Sequence, residues 1–597
     1  MLKKDSEQIK DKGIDENIIE QIRDYKPPKR NVYKMVTAVA ACVVLCVTIF
    51  AWKNIGLQTD SVVTDKTTKE TKVGLNSDKN VRLAKSYSEI DEKLGQMFEQ
   101  EKEFLIAEGE MVKKSAGTSN RFEATADLSK KEYSQTNKRT ENVDESDIVK
   151  TDGKYIYTLS SYSDDKERKK MGDYDVCWIG DRYKLTITAV DGKQMEKMSS
   201  TIIENKEIKE FNNAEMYISG DVFVFVGEYL KDEKNSEMST CIFTYDISNK
   251  KNIQLKNINV QDGTYDNSRL VDGYLYTIST YSFSRYVAKE CVPKTNGKKM
   301  NYECVYLPDK IENEWPEYTI ITALDIYKSN DFTSEISILG GVNTMYVSQS
   351  NIYLLNVYCD TKDITDTKKG KQILENQSGK KKYNIEKTCD YTKILKYSYK
   401  DGEVNYVAAV NMPGWVDDQF SLDEKDGYLR MVTHINNIIS TNLYRTHYDA
   451  KNKKKERELV ETLDNEEMES WNDVYVLGNN LEQVASIKGL AKNEEIYSAR
   501  FLGDYGYFVS FENTDPLFTI DFSDMQHPKV VGKLKMPGFS DYLQFYTDDM
   551  LFGIGQNGDE KGNISGVKLD MYDVERGKAS LKTKLVLKEY DYSEAFY

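Results

Sequence analysis

From Asp147 to Lys582 the chain repeats a two-part pattern of apolar and polar positions seven times. The first part is an acidic or glycine turn running into alternating aromatics, as in Asp152-Gly153-Lys154-Tyr155-Ile156-Tyr157, with counterparts at 219–225, 271–276, 350–355, 425–430, 504–509 and 547–552. The second is an apolar run ending in Asp or an equivalent, as in Leu185-Thr186-Ile187-Thr188-Ala189-Val190-Asp191-Gly192, with counterparts at 242–246, 320–325, 394–398, 473–477, 517–521 and 567–573. A connecting turn also recurs, as Met412-Pro413-Gly414-Trp415 and Met536-Pro537-Gly538-Phe539. Period-two alternation bounded by Gly, Asn and Asp predicts half-buried antiparallel strands with tight turns. One such unit cannot bury both of its faces, so the units must lean on one another. The fold predicted is all-β, a β-propeller with seven visible blade repeats; an array of β-sandwiches is the alternative.

Steps between first parts run from about 45 to 80 residues, longer than the blade repeats of about 40–50 usual for this architecture. The surplus is polar and Lys-rich, most clearly from Lys362 to Lys387, and reads as loops projecting from a blade rim. Ahead of the repeats lies an uncharged apolar run that opens at Met35 and closes at Trp52. Lys26, Lys29, Arg30 and Lys34 precede it and Lys53 follows, so it reads as a membrane helix with residues 1–34 cytoplasmic and everything after it outside the cell membrane. A cleaved signal peptide, or acylation at Val39-Ala40-Ala41-Cys42, are the competing readings. Residues 53–85 read as a flexible tether. In 86–132, Ile90, Leu94, Met97, Phe98 and Leu105 fall on one helical face, with Ser88 and Asp91 as a capping box. That stripe is expected to cover the outer side of the propeller, which occupies 133–597.

Composition narrows the partners. With 98 acidic against 82 basic residues, a formal charge of −16 argues against a nucleic acid. A protein or an envelope glycan remains. Beyond Cys42 and Cys46 in the membrane run, the six cysteines contain no CxxC pair; Cys291–Cys304 and Cys359–Cys389 could each close a loop, and buried thiols are the alternative. Only His434, His447 and His527 are available for His-based chemistry. Carboxylates are plentiful: Asp144, Glu145 and Asp147 cluster at the entrance to the first repeat, and Asp417 and Asp418 follow Trp415. Paired acids beside an aromatic ring suit glycan binding, or a carboxylate-dependent hydrolase acting on glycan or peptide; the plainer reading is that they cap turns. No cofactor is expected. Gly553-Ile554-Gly555-Gln556-Asn557-Gly558 matches a dinucleotide fingerprint without the helix it needs and is read as turn glycines. Calcium has abundant oxygen ligands, but Asn557 to Asn563 lacks the acidic spacing of a calcium loop.

Tyr133-Ser134-Gln135-Thr136-Asn137, followed by Val143-Asp144-Glu145-Ser146-Asp147-Ile148-Val149-Lys150-Thr151-Asp152-Gly153, resembles the opening signature of the exported bacterial and archaeal β-propeller domain proteins, distant relatives of WD-repeat propellers. Gln419-Phe420-Ser421-Leu422-Asp423-Glu424, Ile496-Tyr497-Ser498-Ala499-Arg500-Phe501 and Pro537-Gly538-Phe539-Ser540-Asp541-Tyr542-Leu543 extend the likeness towards Tyr597. The resemblance implies an exported or membrane-anchored propeller and carries no catalytic residue over. Lys138 to Asn142 departs from the family's hydrophobic, Gly-containing link. Ser593 to Tyr597 resembles the start of a further family segment, which raises the expectation of either a truncated product or a strand near Tyr133 completing the last blade.

Overall fold

The computed structural model describes residues 81–108 and 143–588, the latter without 163–180, 193, 233–236, 283–290, 310–315, 329, 343, 376–382, 450–453, 464–466, 512–514, 537, 548, 559–563 and 575–576. Its strands form seven four-stranded antiparallel units in chain order, the blades of a β-propeller, with blades 4 and 5 joined in one nine-stranded sheet. The middle strands of blades 1 to 3 are Tyr155–Tyr162 with Arg182–Asp191, Val222–Asp232 with Glu237–Asp246, and Tyr274–Ser282 with Glu317–Asp325. Those of blades 4 and 5 are Asn351–Asp363 with Tyr383–Lys400, and Tyr428–Asp449 with Glu467–Leu477. Blades 6 and 7 have Tyr505–Phe511 with Asp515–Asp521, and Met550–Gly558 with Ile564–Asp573. Each pair is one recurrence of the two-part pattern, so the repeat marks the two strands that are covered on both faces.

Six apolar clusters join consecutive blades. Tyr157 and Leu185 of blade 1 meet Phe223 and Phe243 of blade 2; Val224 and Ile242 meet Leu275 and Leu324; Ile278 and Ile321 meet Ile352 and Leu395. Beyond these, Leu355 and Ile394 meet Met431 and Leu477, Val432 and Val474 meet Phe508 and Ile520, and Val509 and Leu517 meet Leu551 and Tyr572. Three of the buried tyrosines satisfy their hydroxyls on carboxylates: Tyr157 donates to Asp152 at 2.7 Å, Tyr353 to Glu424 at 2.7 Å and Tyr475 to Asp473 at 2.9 Å. The recurring Met-Pro-Gly turn needs its glycines. Gly414 and Gly538 sit at φ +84° and +81°, and a Cβ there would lie 2.5 Å from the His434 carbonyl oxygen and 2.3 Å from that of Gln556.

Several expectations need correcting. The segment from Lys362 to Lys387 is largely regular: the strand runs on to Asp363, a helix α2 occupies Lys368–Glu375, and pairing resumes with Asp363 opposite Glu386. Both faces of this hairpin carry polar residues, so it has no alternation to betray it. Val81–Leu83, assigned to the tether, is a strand paired with Val305–Pro308 at the outer edge of blade 3. The helix that follows, α1, spans Tyr87–Glu108 and is capped by the Ser86 hydroxyl, which accepts from the Glu89 N–H at 3.3 Å, rather than by Ser88. It lays Ile90, Leu94, Met97 and Phe98 on Val292, Leu307, Tyr318 and Ile320, as expected of a cover on the propeller's outer side. Gly553 and Gly555 lie inside a strand, opposite Asp570 and Lys568, which form a buried ion pair at 3.2 Å. Cys359 and Cys389 are one step out of register, opposite Asp390 and Asp360, so their side chains leave opposite faces of the sheet. Both are unbridged, as are Cys241, Cys291 and Cys304.

The apolar run from Met35 to Trp52 and the strand expected near Tyr133 lie outside the described residues. Blade 7 draws its four strands from Phe539–Thr547 through Ser580–Leu587. Among the described residues no helix is long and apolar enough to cross a membrane.

Three outcomes follow. Leu94→Ala, at a position 2% exposed, is expected to cost about 2–4 kcal/mol of α1 docking, read as faster amide exchange over α1 and the Val305–Pro308 strand with blades 5 to 7 unchanged. Arg430→Met, which strips the buried partner from Asp423, is expected to lower stability by about 3–5 kcal/mol in urea unfolding. Native alkylation is expected to label Cys359 and spare Cys241, with no Cys359–Cys389 crosslinked peptide in a non-reducing digest.

Candidate functional site

The innermost strand of each blade ends in the tight turn that starts the next strand, and one register position on it points at the following blade. In blades 1 to 6 that position holds Lys150, Tyr217, Arg269, Tyr346, Asp423 and Arg500, opposite Tyr157, Val224, Tyr276, Tyr353, Arg430 and Tyr507. Together they make a polar layer at the hub. Contacts there skip a blade, which only strands around a common axis can do: Arg269 of blade 3 reaches Gln419, at the start of blade 5, at 3.4 Å.

The lead-in to blade 1 crosses this layer first. Asp144–Glu145 pairs with Arg269 and Leu270 of blade 3, and Asp147 bridges to Met216 of blade 2. The segment thereby covers inner edges that would otherwise present unpaired N–H and C=O groups. Its acids are counter-ions. Asp144 meets Lys150 Nζ at 3.1 Å and Glu145 meets Arg269 at 3.3 Å, both cations being about 95% buried. Burial works against the Arg269 charge, but Glu145 and the surrounding tyrosine and glutamate groups outweigh it and hold the guanidinium above its usual range. Asp147 accepts from the N–H of Ile148 at 2.7 Å. Glu215, which the sequence reading did not single out, accepts from Ser146 and from Tyr265 at 2.8 Å.

The second predicted group stands on the connection between blades 4 and 5. Asp418 caps the short turn Gln419–Ser421, accepting from the N–H groups of Phe420 and Ser421 at 2.8 and 3.0 Å. That turn carries Gln419 to Arg269 and Phe420 to Arg500, whose guanidinium lies 3.8 Å from the Phe420 ring centre. The structure therefore links the two predicted groups through Arg269, with Glu145 on one side and the Asp418-capped turn on the other. Trp415 stands apart, half-buried, its backbone bridged to His434 and its ring edge-to-face with that imidazole at 5.5 Å. Asn472 donates to the carbonyls of Leu490, Ala491 and Glu494, which turns its Oδ1 towards His434 Nδ1 at 2.9 Å. The neutral ring thus carries its proton on Nδ1. Asp417, on the same connection, is half-buried.

Sequence reasoning missed Lys150, Arg269, Arg430 and Arg500. Their signal was present: a cation two or three residues before the Asp or Gly of a first-part turn, or three after its Gly in Arg430. The hub acids are all engaged, and none of the arrangements described opens a substrate-sized cavity. A cleft between blades 3 and 4, lined by Val81, Leu339, Gly341, Leu354 and Lys393, holds about 10 Å³, the volume of one water. Among the described residues no group of three or more His, Cys, Asp or Glu side chains is placed to hold a metal ion.

An uncharacterized protein of Archaeoglobus fulgidus is 28% identical over 517 residues, 77% of this chain and 72% of that one. One from Methanocaldococcus jannaschii is 26% identical over 489 residues, 72% and 67% of the two chains. Among solved structures, the chain is similar to the β-propeller domain of the trilobed protease from Pyrococcus furiosus, at 11% identity and a TM-score of 0.26 over 74% of this chain and 96% of that one. It is also similar to the C-terminal WD40 domain of Sif2, at 8% identity and a TM-score of 0.27 over 76% and 90%. The family model for the β propeller domain matches residues 133–597, and the chain belongs to that family.

Proposed function

We propose that this protein is an interaction module whose propeller binds a partner protein through one loop-bearing end, held outside the cell membrane by the run from Met35 to Trp52. The β-propeller generally serves as a protein-interaction scaffold. The observation that carries the reading is an asymmetry between the two ends of the blades. In a four-stranded meander the first–second and third–fourth turns share one end, while the second–third connection and the passage to the next blade share the other. The first end is closed by turns as short as Asp272-Gly273 and Asp426-Gly427. The second carries the long connections, of which those of the adjacent blades 3, 4 and 5 include described strands or a helix.

Those three insertions have structure of their own. In blade 3 the strand Val305–Pro308 lies beneath α1. In blades 4 and 5 the strands Tyr383–Lys400 and Tyr428–Asp449 outrun their blades and pair with each other from Tyr383–Leu443 to Cys389–Asn437, with Lys454–Thr462 added at the side. A protruding lobe of paired strands is preorganised, so a partner that docks on it has less ordering to offset than on a loose loop. Met468, 68% exposed, and Val460, 44% exposed, stand on this lobe among charged neighbours such as the Lys369–Glu469 pair. Exposed apolar side chains set among charged ones are the usual anatomy of a protein–protein contact. A hydrolase reading gains no such support, since the hub acids already hold counter-ions or turn N–H groups.

The reading is tested with the full-length chain in detergent as bait against extracellular proteins and cell-wall fractions from its own organism. Met468→Lys is expected to lower capture of a protein partner at least tenfold, while the thermal midpoint stays within about a degree because the side chain is exposed. Undiminished capture by that variant, or retention of glycan alone, would count against a protein docking on the lobe.

A further inference from the structure

Four buried cations occupy or face the hub layer, and three of them meet a carboxylate. Lys150 has Asp144 at 3.1 Å, Arg269 has Glu145 at 3.3 Å, and Arg430 has Asp423 at 3.1 Å from its Nε. Arg500 is the fourth. It is 6% exposed, as buried as the others. Among the described residues no carboxylate lies within ion-pair distance of it, and its one hydrogen bond runs from Nη1 to the carbonyl of its neighbour Ala499 at 2.7 Å. Its Nε is buried with no acceptor.

What Arg500 does have is rings. Its guanidinium lies 3.8 Å from the centre of Phe420 in blade 5 and 5.2 Å from that of Tyr542 in blade 7. Arg430 is held in the same manner, 5.1 and 5.2 Å from Phe501 and Phe522, yet it has its carboxylate as well. Aromatic faces stabilise a guanidinium above and below its plane; the N–H donors point outward in the plane and still require acceptors. A desolvated charge without a counter-ion costs several kcal/mol, which is why such groups are ordinarily paired. The comparison of Arg430 with Arg500 isolates what is missing, an in-plane oxyanion.

We infer that Arg500 is a receptor for a small carboxylate anion at the hub, seated between blades 5, 6 and 7 and gripped by the edge of a guanidinium that Phe420 and Tyr542 hold flat. The planar fork of arginine matches a carboxylate, and acetate is a small, stable probe of that match. The site stands independently of partner binding at the loop-bearing end. Occupied, it supplies the counter-charge that blade 6 lacks and tightens the junction of three blades.

The test uses the full-length protein and sodium acetate, with sodium chloride at equal ionic strength as reference. Acetate is expected to raise the thermal midpoint saturably, by roughly 1–2 °C at ten times its Kd, and Arg500→Gln to abolish the rise. Because that variant could fail to fold, bromide-soaked crystals of the unaltered protein give a second reading: an anomalous peak within hydrogen-bond reach of the Arg500 guanidinium is expected. Absence of both the acetate shift and the bromide peak overturns the inference, as does an acetate shift that Arg500→Gln retains in full.

Discussion

The structure depends on one constraint: a four-stranded sheet of this size has two faces to bury and can bury neither alone. Every blade therefore spends its second and third strands on its neighbours, and six apolar clusters in chain order are the result. Apolar contact is non-directional, so it presses blades together without setting the angle between them. The angle needs directional ties, and each junction has one. Tyr217 bonds Ser268 at 2.9 Å, Thr333 donates to the Gly402 carbonyl at 2.8 Å and Tyr353 to Glu424 at 2.7 Å. Further round, Arg430 donates to the Gly503 carbonyl at 2.8 Å and Tyr507 to that of Val574 at 3.3 Å. At the first junction Lys150 lies 5.3 Å from the Tyr217 ring centre. Such buried polar groups are costly unless satisfied, which makes them selective for one mutual placement.

How far this was legible follows from the same physics. The middle strands were read because burial on both faces imposes alternation and aromatic residues, and alternation survives in sequence. The hub was not, because its residues are defined by register against a strand elsewhere in the chain. Lys150, Arg269 and Arg500 look like ordinary polar positions until Tyr157, Tyr276 and Tyr507 are set opposite them. Asp144 and Glu145 were seen as a cluster, but their partners Lys150 and Arg269 lie 6 and 124 residues away. The extended lobe of blades 4 and 5 was read as loop for a related reason. One face of these strands is buried at Ile385, Asn437, Ile439 and Thr441, but half of those positions are polar, so the residue types carry little periodic signal and pairing reveals them.

The glycine pair in blade 7 shows how a motif can be misread when its geometry is unknown. Gly553 and Gly555 suggested a turn, and by composition a nucleotide loop. In the sheet they stand opposite Asp570 and Lys568, an ion pair with neither partner more than 1% exposed. Glycine weakens a strand by its freedom and its missing side chain. Here the missing side chain is the point: a Cβ on Gly553 would come within 3.0 Å of Ser540 Oγ and 3.2 Å of the Tyr572 ring.

The two ends of the blades divide the demands between them. At the hub the cations are buried and most are held by a carboxylate, so a substitution there strips a counter-ion or a hydrogen bond. At the loop-bearing end the second–third connections leave the packed sheets, and their length changes at little cost because closure entropy grows slowly with length. Blades 3, 4 and 5 have used that freedom to build α1's platform and a lobe of paired strands, while the ring beneath them keeps its register. Function can then change at one end of the molecule without disturbing the packing that holds the other together, which is why a fold of this kind displays binding surfaces more readily than it hides a reaction.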